Sequence, residues 1–241
     1  MLKKLVITSA ILGVLAACQP PGGGGSKELV ERIEKLEKKV EALEKRGPAG
    51  PQKAPEPPPP QTAAYNLVAG NSPVLGKKDA KITVMIWSDY QCPFCGRVEP
   101  MLRDVVNDPD LKDKVNVVYK QFPLSFHQNA KPASKAALAA RDVGGDKGFW
   151  DVSKKMFENQ RDLSPENYSK WAAESGLDVK KFEKAIKDND AKYEAIIKEE
   201  SELGSTAAKV RGTPSLFVNG WELRTRSVEG VKQLIKEKNL G

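Results

Sequence analysis

Two cysteines separated by two residues stand out in the stretch WSDYQCPFC, which ends in Cys92-Pro93-Phe94-Cys95. The chain has only three cysteines, and the third, Cys18, lies far upstream. A pair with this spacing can exchange disulfides, supply half of a metal site, or be coincidental. The secondary structure around the pair and the cellular compartment of the chain help to decide among these three possibilities.

The residues around Cys92 predict a junction between a strand and a helix. Residues 81–87 form a β-rich run that predicts a buried strand, and Pro93 suits the first position of a helix. Cys92 then lies at the N-cap, where free N–H groups and the helix dipole stabilise a thiolate. Cys95 follows one turn later, so an exposed Cys92 can attack a substrate and Cys95 can resolve the mixed disulfide.

Zinc binding and a structural disulfide are the alternatives for this pair. A structural zinc site takes four ligands, and beyond the pair the globular part offers one histidine, His127, and no other cysteine. Zinc would therefore need carboxylates or a second subunit. A disulfide that closes so short a loop removes little chain entropy, so a purely structural bridge is disfavoured. No metal is predicted.

The first residues predict export and lipid attachment. Two lysines precede the apolar residues 5–16, a stretch in the length range of a signal-peptide core and too short to span a bilayer. It ends in LAAC, which resembles the lipobox of bacterial lipoproteins. That resemblance implies a signal peptide at residues 1–17 and acyl chains on Cys18, with a plain secretory peptide as the alternative. Either route leads to an oxidising compartment. If Cys18 is lipidated, the two CPFC cysteines are left to pair with each other.

Three segments are predicted between the signal and the globular part. Residues 18–26 form a lipidated Gly-rich spacer. Residues 27–46 carry a heptad seam with Leu at d and Ile or Val at a, flanked by opposite charges at g and e, which favours a parallel two-stranded coiled coil. A single solvated helix is the alternative, because the seam is short. Residues 47–64 are Pro-rich and predict an extended, semi-rigid linker.

Residues 65–241 predict an α/β domain. After the first strand and helix, a second strand is expected at residues 115–120 and a helical block at about residues 128–210. A strand, a hairpin turn at Asn219-Gly220, a further strand and a final helix follow. The predicted order is β-α-β, a helical block, then β-β-α.

Two motifs together resemble the DsbA-like branch of the thioredoxin superfamily: WSDYQCPFC and, before the third strand, RGTPSLFVNG. The resemblance covers residues 65–240. It implies a thioredoxin-like fold with a helical insertion over one side of the active face. It also implies a cis bond at Pro214 beside the active disulfide, and backbone around Thr213 that binds an extended substrate. The resemblance also implies that the strongest oxidases of this family carry a CPHC motif, whose histidine favours the thiolate. Phe94 supplies no charge at that position, so the pKa of Cys92 is expected to be lowered less than in those oxidases.

The functional prediction is a lipid-anchored thiol-disulfide oxidoreductase that acts on exported proteins through Cys92 and Cys95, without an organic cofactor. Oxidation is favoured. The alternatives are a disulfide isomerase or reductase, oligomerised through residues 27–46, and a non-catalytic envelope scaffold. The expected partners are exported proteins with thiols or disulfides and a membrane oxidase or reductase.

The charge of the chain indicates whether it binds nucleic acid, and the residue after Cys18 indicates where in the cell it is located. The net charge of +7 is spread over helices that mix lysine with glutamate, with no aromatic-and-basic stripe, so no nucleic-acid partner is predicted. The residue after the lipidated cysteine is Gln19. The common signal for retention at the inner membrane is an aspartate at this position, so Gln19 favours the outer membrane. The expected location is the cell envelope, on an outer membrane and facing the periplasm.

Overall fold

The computed structural model describes residues 25–45 and 61–241. The chain divides between residues 59 and 60 into two units. The predicted signal peptide, the lipidated Cys18 and nearly all of the Pro-rich linker lie outside the described residues. Among the helices that the structure describes, none is both long and apolar enough to cross a membrane.

The first unit contributes one helix, α1 (Gly25–Lys45). The apolar residues of its heptad seam are open to solvent: Leu29, Ile33, Leu36 and Val40 are 47–61 % exposed. A surface helix normally buries its apolar stripe.

A five-stranded mixed sheet lies at the centre of the second unit, in the order β1-β3-β2-β4-β5. The strands are β1 (Val74–Gly76), β2 (Ile82–Ser88), β3 (Val115–Gln121), β4 (Ser215–Val218) and β5 (Trp221–Glu222). The central pair, β2 and β3, is parallel, and every other pairing is antiparallel. Both central strands are buried almost throughout, as expected of strands covered on two faces.

Helices join and cover the strands. They are α2 (Pro93–Asn107), α3 (Ala130–Glu158), a short 3-10 helix (Gln160–Asp162), α4 (Pro165–Glu174), α5 (Val179–Asp188), α6 (Asp190–Thr206) and α7 (Val228–Lys238). Helix α2 connects β2 to β3, and the block from α3 to α6 is inserted between β3 and β4. Pro100 lies inside α2 without ending it. Gly145, at φ 63° and ψ −160°, kinks α3.

The two faces of the sheet carry separate apolar clusters. The larger one includes Cys92 and Cys95 together with residues of the inserted helices. The smaller one, on the opposite face, is built around Trp87 and Phe217, whose rings pack edge to face at 5.6 Å. Gly204 lets α6 approach this cluster, because a Cβ there would lie 2.5 Å from Trp87 Nε1.

The main differences from the sequence-based prediction lie at the edges of the sheet. Strand β1 was not predicted, because three residues are too few for a recognisable alternation. At the other edge, β5 ends at Glu222, two residues earlier than expected. Between β4 and β5, Asn219 and Gly220 both have positive φ, as the predicted hairpin turn requires.

Candidate active site

The two cysteines lie where the chain leaves β2 and enters α2. Cys92 is the N-cap residue, with extended backbone at φ −72° and ψ 118°, and Pro93 begins the helix. Cys95 lies in the first helical turn, and its N–H donates to the Cys92 carbonyl at 3.0 Å. Both thiols are free, so the structure is that of the dithiol form.

Cys92 is less accessible than the sequence suggests. The predicted exposed nucleophile is only 4 % exposed. Its Sγ donates a hydrogen bond of 3.4 Å to the Thr213 carbonyl, so the chain before β4 covers part of the thiol. The thiol of Cys92 is therefore largely shielded from solvent.

The two thiols have strongly separated pKa values. The pKa of Cys92 is lowered to about 5, mainly by the hydrogen bond from the Cys95 side chain. Burial opposes this shift, whereas the Thr213 side chain and the backbone N–H groups of the first turn lower the pKa further. Burial raises the pKa of Cys95 far above its usual range, and the Cys92 thiol raises it further. At neutral pH, Cys92 is thus a thiolate and Cys95 a neutral thiol that donates to it.

The Thr213–Pro214 peptide bond is cis. Pro214 comes directly before β4, which pairs with β2, and this pairing carries Thr213 to the CPFC segment. The Thr213 hydroxyl is buried. All four residues of the CPFC motif and the Thr-Pro pair therefore lie at one site.

The buried carboxyl group of Asp89 organises the loop before Cys92. The sequence did not predict the partners of this carboxyl group. Asp89 is completely buried and accepts hydrogen bonds from the backbone N–H groups of Gln91 and Leu124, at 2.7 and 2.8 Å. His127 Nδ1 lies 2.8 Å from the same carboxyl group. Asp89 thus ties the loop after β3 to the loop after β2.

Gln160, in the 3-10 helix, also contacts the loop that carries Cys92, and the sequence did not predict this contact. Its Nε2 donates to the carbonyl oxygens of Tyr90 and Cys92, each at 2.8 Å. Gly96 makes room for it, because a Cβ at that position would lie 2.4 Å from Gln160 Oε1. The helical insertion is thereby attached directly to the cysteine loop.

Two exposed aromatic side chains lie near the site, one in the first turn of α2 and one in the loop after β3. Phe94, between the cysteines, is 55 % exposed, and the Arg97 guanidinium lies 4.5 Å from its ring centroid. Phe126 is 73 % exposed and packs against the His127 ring at 4.6 Å. Exposed aromatic rings of this size are typical of surfaces that bind other proteins.

The described residues contain no group of three or more histidine, cysteine, aspartate or glutamate side chains placed to hold a metal ion. An open cavity of about 600 Å³ lies on the helical insertion, lined by Pro132, Tyr168 and Ile186 among others, and none of its lining residues belongs to the cysteine site.

Comparison with known proteins agrees with the fold. Residues 68–237 match the family described as Thioredoxin, and the chain belongs to that family. "Disulfide bond formation protein D" of Bacillus subtilis is 28 % identical over 180 residues, which cover 70 % of this chain and 78 % of that protein. The "Na(+)/H(+) antiporter NhaA 1" of Salinispora arenicola is 32 % identical over 148 residues, 61 % of this chain. This chain spans only about a fifth of the length of that antiporter, 21 %.

Solved structures share the fold. Oxidised BdbD from Bacillus subtilis has a TM-score of 0.64 at 22 % identity, covering 74 % of this chain and 98 % of that one. The thiol-disulfide exchange protein alpha-DsbA2 from Wolbachia pipientis has a TM-score of 0.60 at 21 % identity, covering 69 % and 87 %. The α/β thioredoxin-like fold with a helical insertion, expected from the sequence, is confirmed, and so is the resemblance to the DsbA-like branch.

Proposed function

We propose that the chain is a thiol-disulfide oxidoreductase that exchanges disulfides with exported proteins through Cys92 and Cys95. The observation that carries this proposal is the Cys-Xaa-Xaa-Cys pair at the start of α2, with Cys92 at the N-cap and its Sγ 3.4 Å from the Thr213 carbonyl oxygen; the opposite directions of the two pKa shifts agree with it. A thiolate at Cys92 is the nucleophile and leaving group that exchange requires, and a neutral, buried Cys95 is protected from external attack. No organic cofactor enters the proposed reaction.

Oxidation of substrates is the favoured direction. A substrate thiolate attacks Cys92 Sγ of the Cys92–Cys95 disulfide, the electron pair passes to Cys95 Sγ, and that sulfur takes up a proton. A second substrate thiolate then attacks the substrate sulfur of the mixed disulfide and releases Cys92 as a thiolate. A membrane oxidase must afterwards remove two electrons from the pair, together with the one proton that Cys95 carries. Stabilisation of the Cys92 thiolate favours the reduced form and makes the disulfide more oxidising.

The substrate is proposed to bind as an extended backbone beside Thr213 and Pro214. Thr213 presents its carbonyl to Cys92, so a substrate strand on this segment would bring its sulfur to the thiolate. Phe94, in the first turn of α2, and Phe126, in the loop after β3, are exposed apolar side chains near this position. They would contact apolar side chains of an unfolded substrate.

The decisive experiment is the redox state of the Cys92–Cys95 pair in cells, read by alkylation of trapped thiols. A mostly oxidised pair is expected for an oxidase, whereas a mostly reduced pair would replace the oxidase with an isomerase or reductase. Insulin reduction and refolding of scrambled ribonuclease separate those two activities. Absence of every activity, with Cys92→Ser indistinguishable from the wild type, would instead favour the non-catalytic envelope scaffold.

An isomerase oligomerised by α1 is the second candidate, supported by the exposed heptad seam. Charges at g and e of the heptad complement each other in a parallel pair of identical helices. Light scattering of the chain with and without residues 27–46 tests self-association. Leu36→Lys, on the seam, is expected to abolish it, and Lys38→Glu, on the opposite side, to leave it unchanged. A wild type that is monomeric would remove this support for an isomerase.

The envelope location is also a proposal. It rests on the lipobox resemblance at residues 1–17 and Cys18, with a spacer at 18–26, a coiled coil at 27–46, a linker at 47–64 and the catalytic domain at 65–241. Metabolic acyl labelling of the wild type and of Cys18→Ser tests the lipid anchor, and membrane fractionation tests the outer-membrane location. Equal labelling of both chains would contradict lipidation.

A further inference from the structure

Three segments of the chain meet around Cys92. Residues 90–98 contain this cysteine, and residues 203–221 contain Thr213, whose carbonyl oxygen lies 3.4 Å from Cys92 Sγ. Residues 122–130 are joined to the loop before Cys92 by a hydrogen bond of 2.7 Å from a backbone N–H group to a glutamine side chain. These segments therefore form much of the surface that a substrate meets at Cys92.

The charges on these three segments have only one sign. None of the segments contains an aspartate or a glutamate, whereas together they contain the basic residues Arg97, Lys209 and Arg211. All three side chains are exposed, and none forms an ion pair with another residue that the structure describes. The Arg97 guanidinium lies 4.5 Å from the centroid of the Phe94 ring, and Arg211 is two residues before Thr213. We call these three side chains the basic rim.

The carboxyl groups that lie near the site leave this charge in place. Asp89 is completely buried and accepts hydrogen bonds from its own loops. Glu99 on α2 is 4 % exposed and is paired with Arg103. In the 3-10 helix, Asp162 directly follows Arg161, so these two charges offset each other. The exposed surface around Cys92 therefore carries a net positive charge.

The helical insertion shows a different pattern of charge. Lys155 lies 2.8 Å from the Glu174 carboxylate. Lys192 lies 2.8 Å from the Asp142 carboxylate. Both signs are interspersed on that surface, whereas the basic rim has one sign only. A surface of one sign attracts partners of the opposite charge and repels partners of the same charge.

We propose that the basic rim selects substrates whose reactive cysteine has aspartate or glutamate residues close to it in sequence. This inference rests on the proposed function and names a class of substrate for it. Exchange with Cys92 brings the substrate backbone beside Thr213, so the residues that flank the substrate cysteine come close to Arg97 and Arg211. Carboxylates at these flanking positions would form exposed ion pairs with the rim, and lysines would be repelled.

An anionic membrane surface is the other kind of partner that a basic rim can attract. Segments that bind such membranes typically use about four to eight basic residues. The rim has fewer, and they lie around the reactive sulfur. A membrane bound at this position would cover Cys92 and exclude the polypeptide that has to react there. The rim therefore fits an acidic polypeptide segment better than a membrane.

Oxidation of matched peptides by the oxidised full chain tests this selection. Each peptide carries two cysteines as thiols, flanked by glutamates in one peptide and by lysines in the other. Two electrons pass from the peptide to the Cys92–Cys95 disulfide, and of the two thiol protons one goes to Cys95 and one to the solvent. Acid quenching followed by chromatography gives the rate. Each rate is divided by the rate with 2-hydroxyethyl disulfide, a neutral oxidant, because flanking charges also change the acidity of the peptide thiols.

The wild type should prefer the glutamate peptide. After this correction we expect it to react about tenfold to a hundredfold faster than the lysine peptide, because attraction of one and repulsion of the other add up over several exposed charges. The preference should shrink in about 1 M salt, where the Debye length is only about 3 Å.

Three variants separate the rim from the rest of the charge on the chain. In the combined variant Arg97→Gln, Lys209→Gln and Arg211→Gln, the ratio of the two rates should fall to about one. Arg97→Lys together with Arg211→Lys keeps the charges and should keep the preference. Lys81→Gln is the matched control, because Lys81 is exposed and directly precedes β2, whose other end leads to Cys92. It should leave the preference unchanged.

Several outcomes would overturn the inference. One is equal corrected rates for both peptides in the wild type, and another is a preference that persists in the combined variant. A third is stronger binding of the full chain to phosphatidylglycerol than to phosphatidylcholine vesicles, lost in the combined variant and without any peptide preference, which would assign the rim to a membrane. A wild type that oxidises neither peptide would instead contradict the proposed function itself.

Discussion

The thiol of Cys92 donates a hydrogen bond of 3.4 Å to the carbonyl oxygen of Thr213, although the two residues are 121 positions apart in the chain. This bond exists only while Cys92 carries its proton. Once the thiolate forms, the carbonyl loses its donor and can accept a hydrogen bond from the backbone of a bound substrate. In the substrate-binding mode proposed above, formation of the Cys92 thiolate and release of the Thr213 carbonyl for the substrate would therefore be coupled.

Replacing Cys95 should change the acidity of Cys92 in a graded way. The Cys95 side chain is the main cause of the low pKa of Cys92, about 5. Cys95→Ala removes the donor and should raise this pKa most, whereas Cys95→Ser keeps a donor and should raise it less. The pH dependence of Cys92 alkylation measures both. The same midpoint in Cys95→Ala and the wild type would show that the helix terminus alone sets the acidity.

Thr213→Val should raise the pKa of Cys92 by a smaller amount. The Thr213 side chain also lowers this pKa, but less than Cys95 does. Valine keeps the shape and the backbone carbonyl, so the hydrogen bond from the protonated thiol remains available. Thr206→Val, at an exposed position on α6, is the control. The prediction fails if the Thr213 variant shifts the alkylation midpoint as far as Cys95→Ala does.

The stability of the reduced chain should increase with pH between about 5 and 9. The folded pKa of Cys92, about 5, lies below its usual value of 9.0, so over this interval the unfolded chain binds more protons. The contribution is complete above the unfolded pKa and is lost as the pH falls through the folded one. Urea unfolding at several pH values measures it. Reduced Cys92→Ser lacks the thiolate and should show a weaker dependence over the same interval.

Local signals were sufficient to predict the elements that carry the cysteines. A β-rich run followed by Cys-Pro predicts the junction between β2 and α2, and Thr-Pro before an apolar run predicts the start of β4. These patterns depend on residues that are adjacent in sequence. The N-cap position of Cys92 follows from them directly.

Contacts between distant segments could not be predicted in this way. Gln160 lies 70 residues from Tyr90, and nothing in the sequence around it marks it as a donor to the cysteine loop. Leu124 donates its backbone N–H to Asp89, and a backbone hydrogen bond does not depend on the residue type, so the sequence does not reveal it. The low exposure of Cys92 has the same origin, since the Thr213 segment that covers it comes from the far end of the chain.

Gln160 should stabilise the loop and keep Cys92 acidic. Gln160→Met removes two hydrogen bonds to the Tyr90 and Cys92 carbonyls at similar size, and should lower the free energy of unfolding by about 1–3 kcal/mol. Gln160→Glu also places a negative charge beside Cys92 and should raise its pKa by roughly one unit more than methionine does. Urea unfolding and the alkylation midpoint measure the two effects. Equal midpoints in both variants would exclude the electrostatic part.

Asp89 should contribute more to stability than its partner His127. Asp89→Ala leaves two backbone N–H groups without their acceptor and separates two loops, so the free energy of unfolding should fall by about 2–4 kcal/mol. His127→Ala leaves both backbone bonds in place and removes a side chain that is 18 % exposed, so a loss of about 1 kcal/mol is expected. Urea unfolding of the reduced chains gives both values. A loss in His127→Ala as large as in Asp89→Ala would show that the imidazole, and not the backbone, joins the loops.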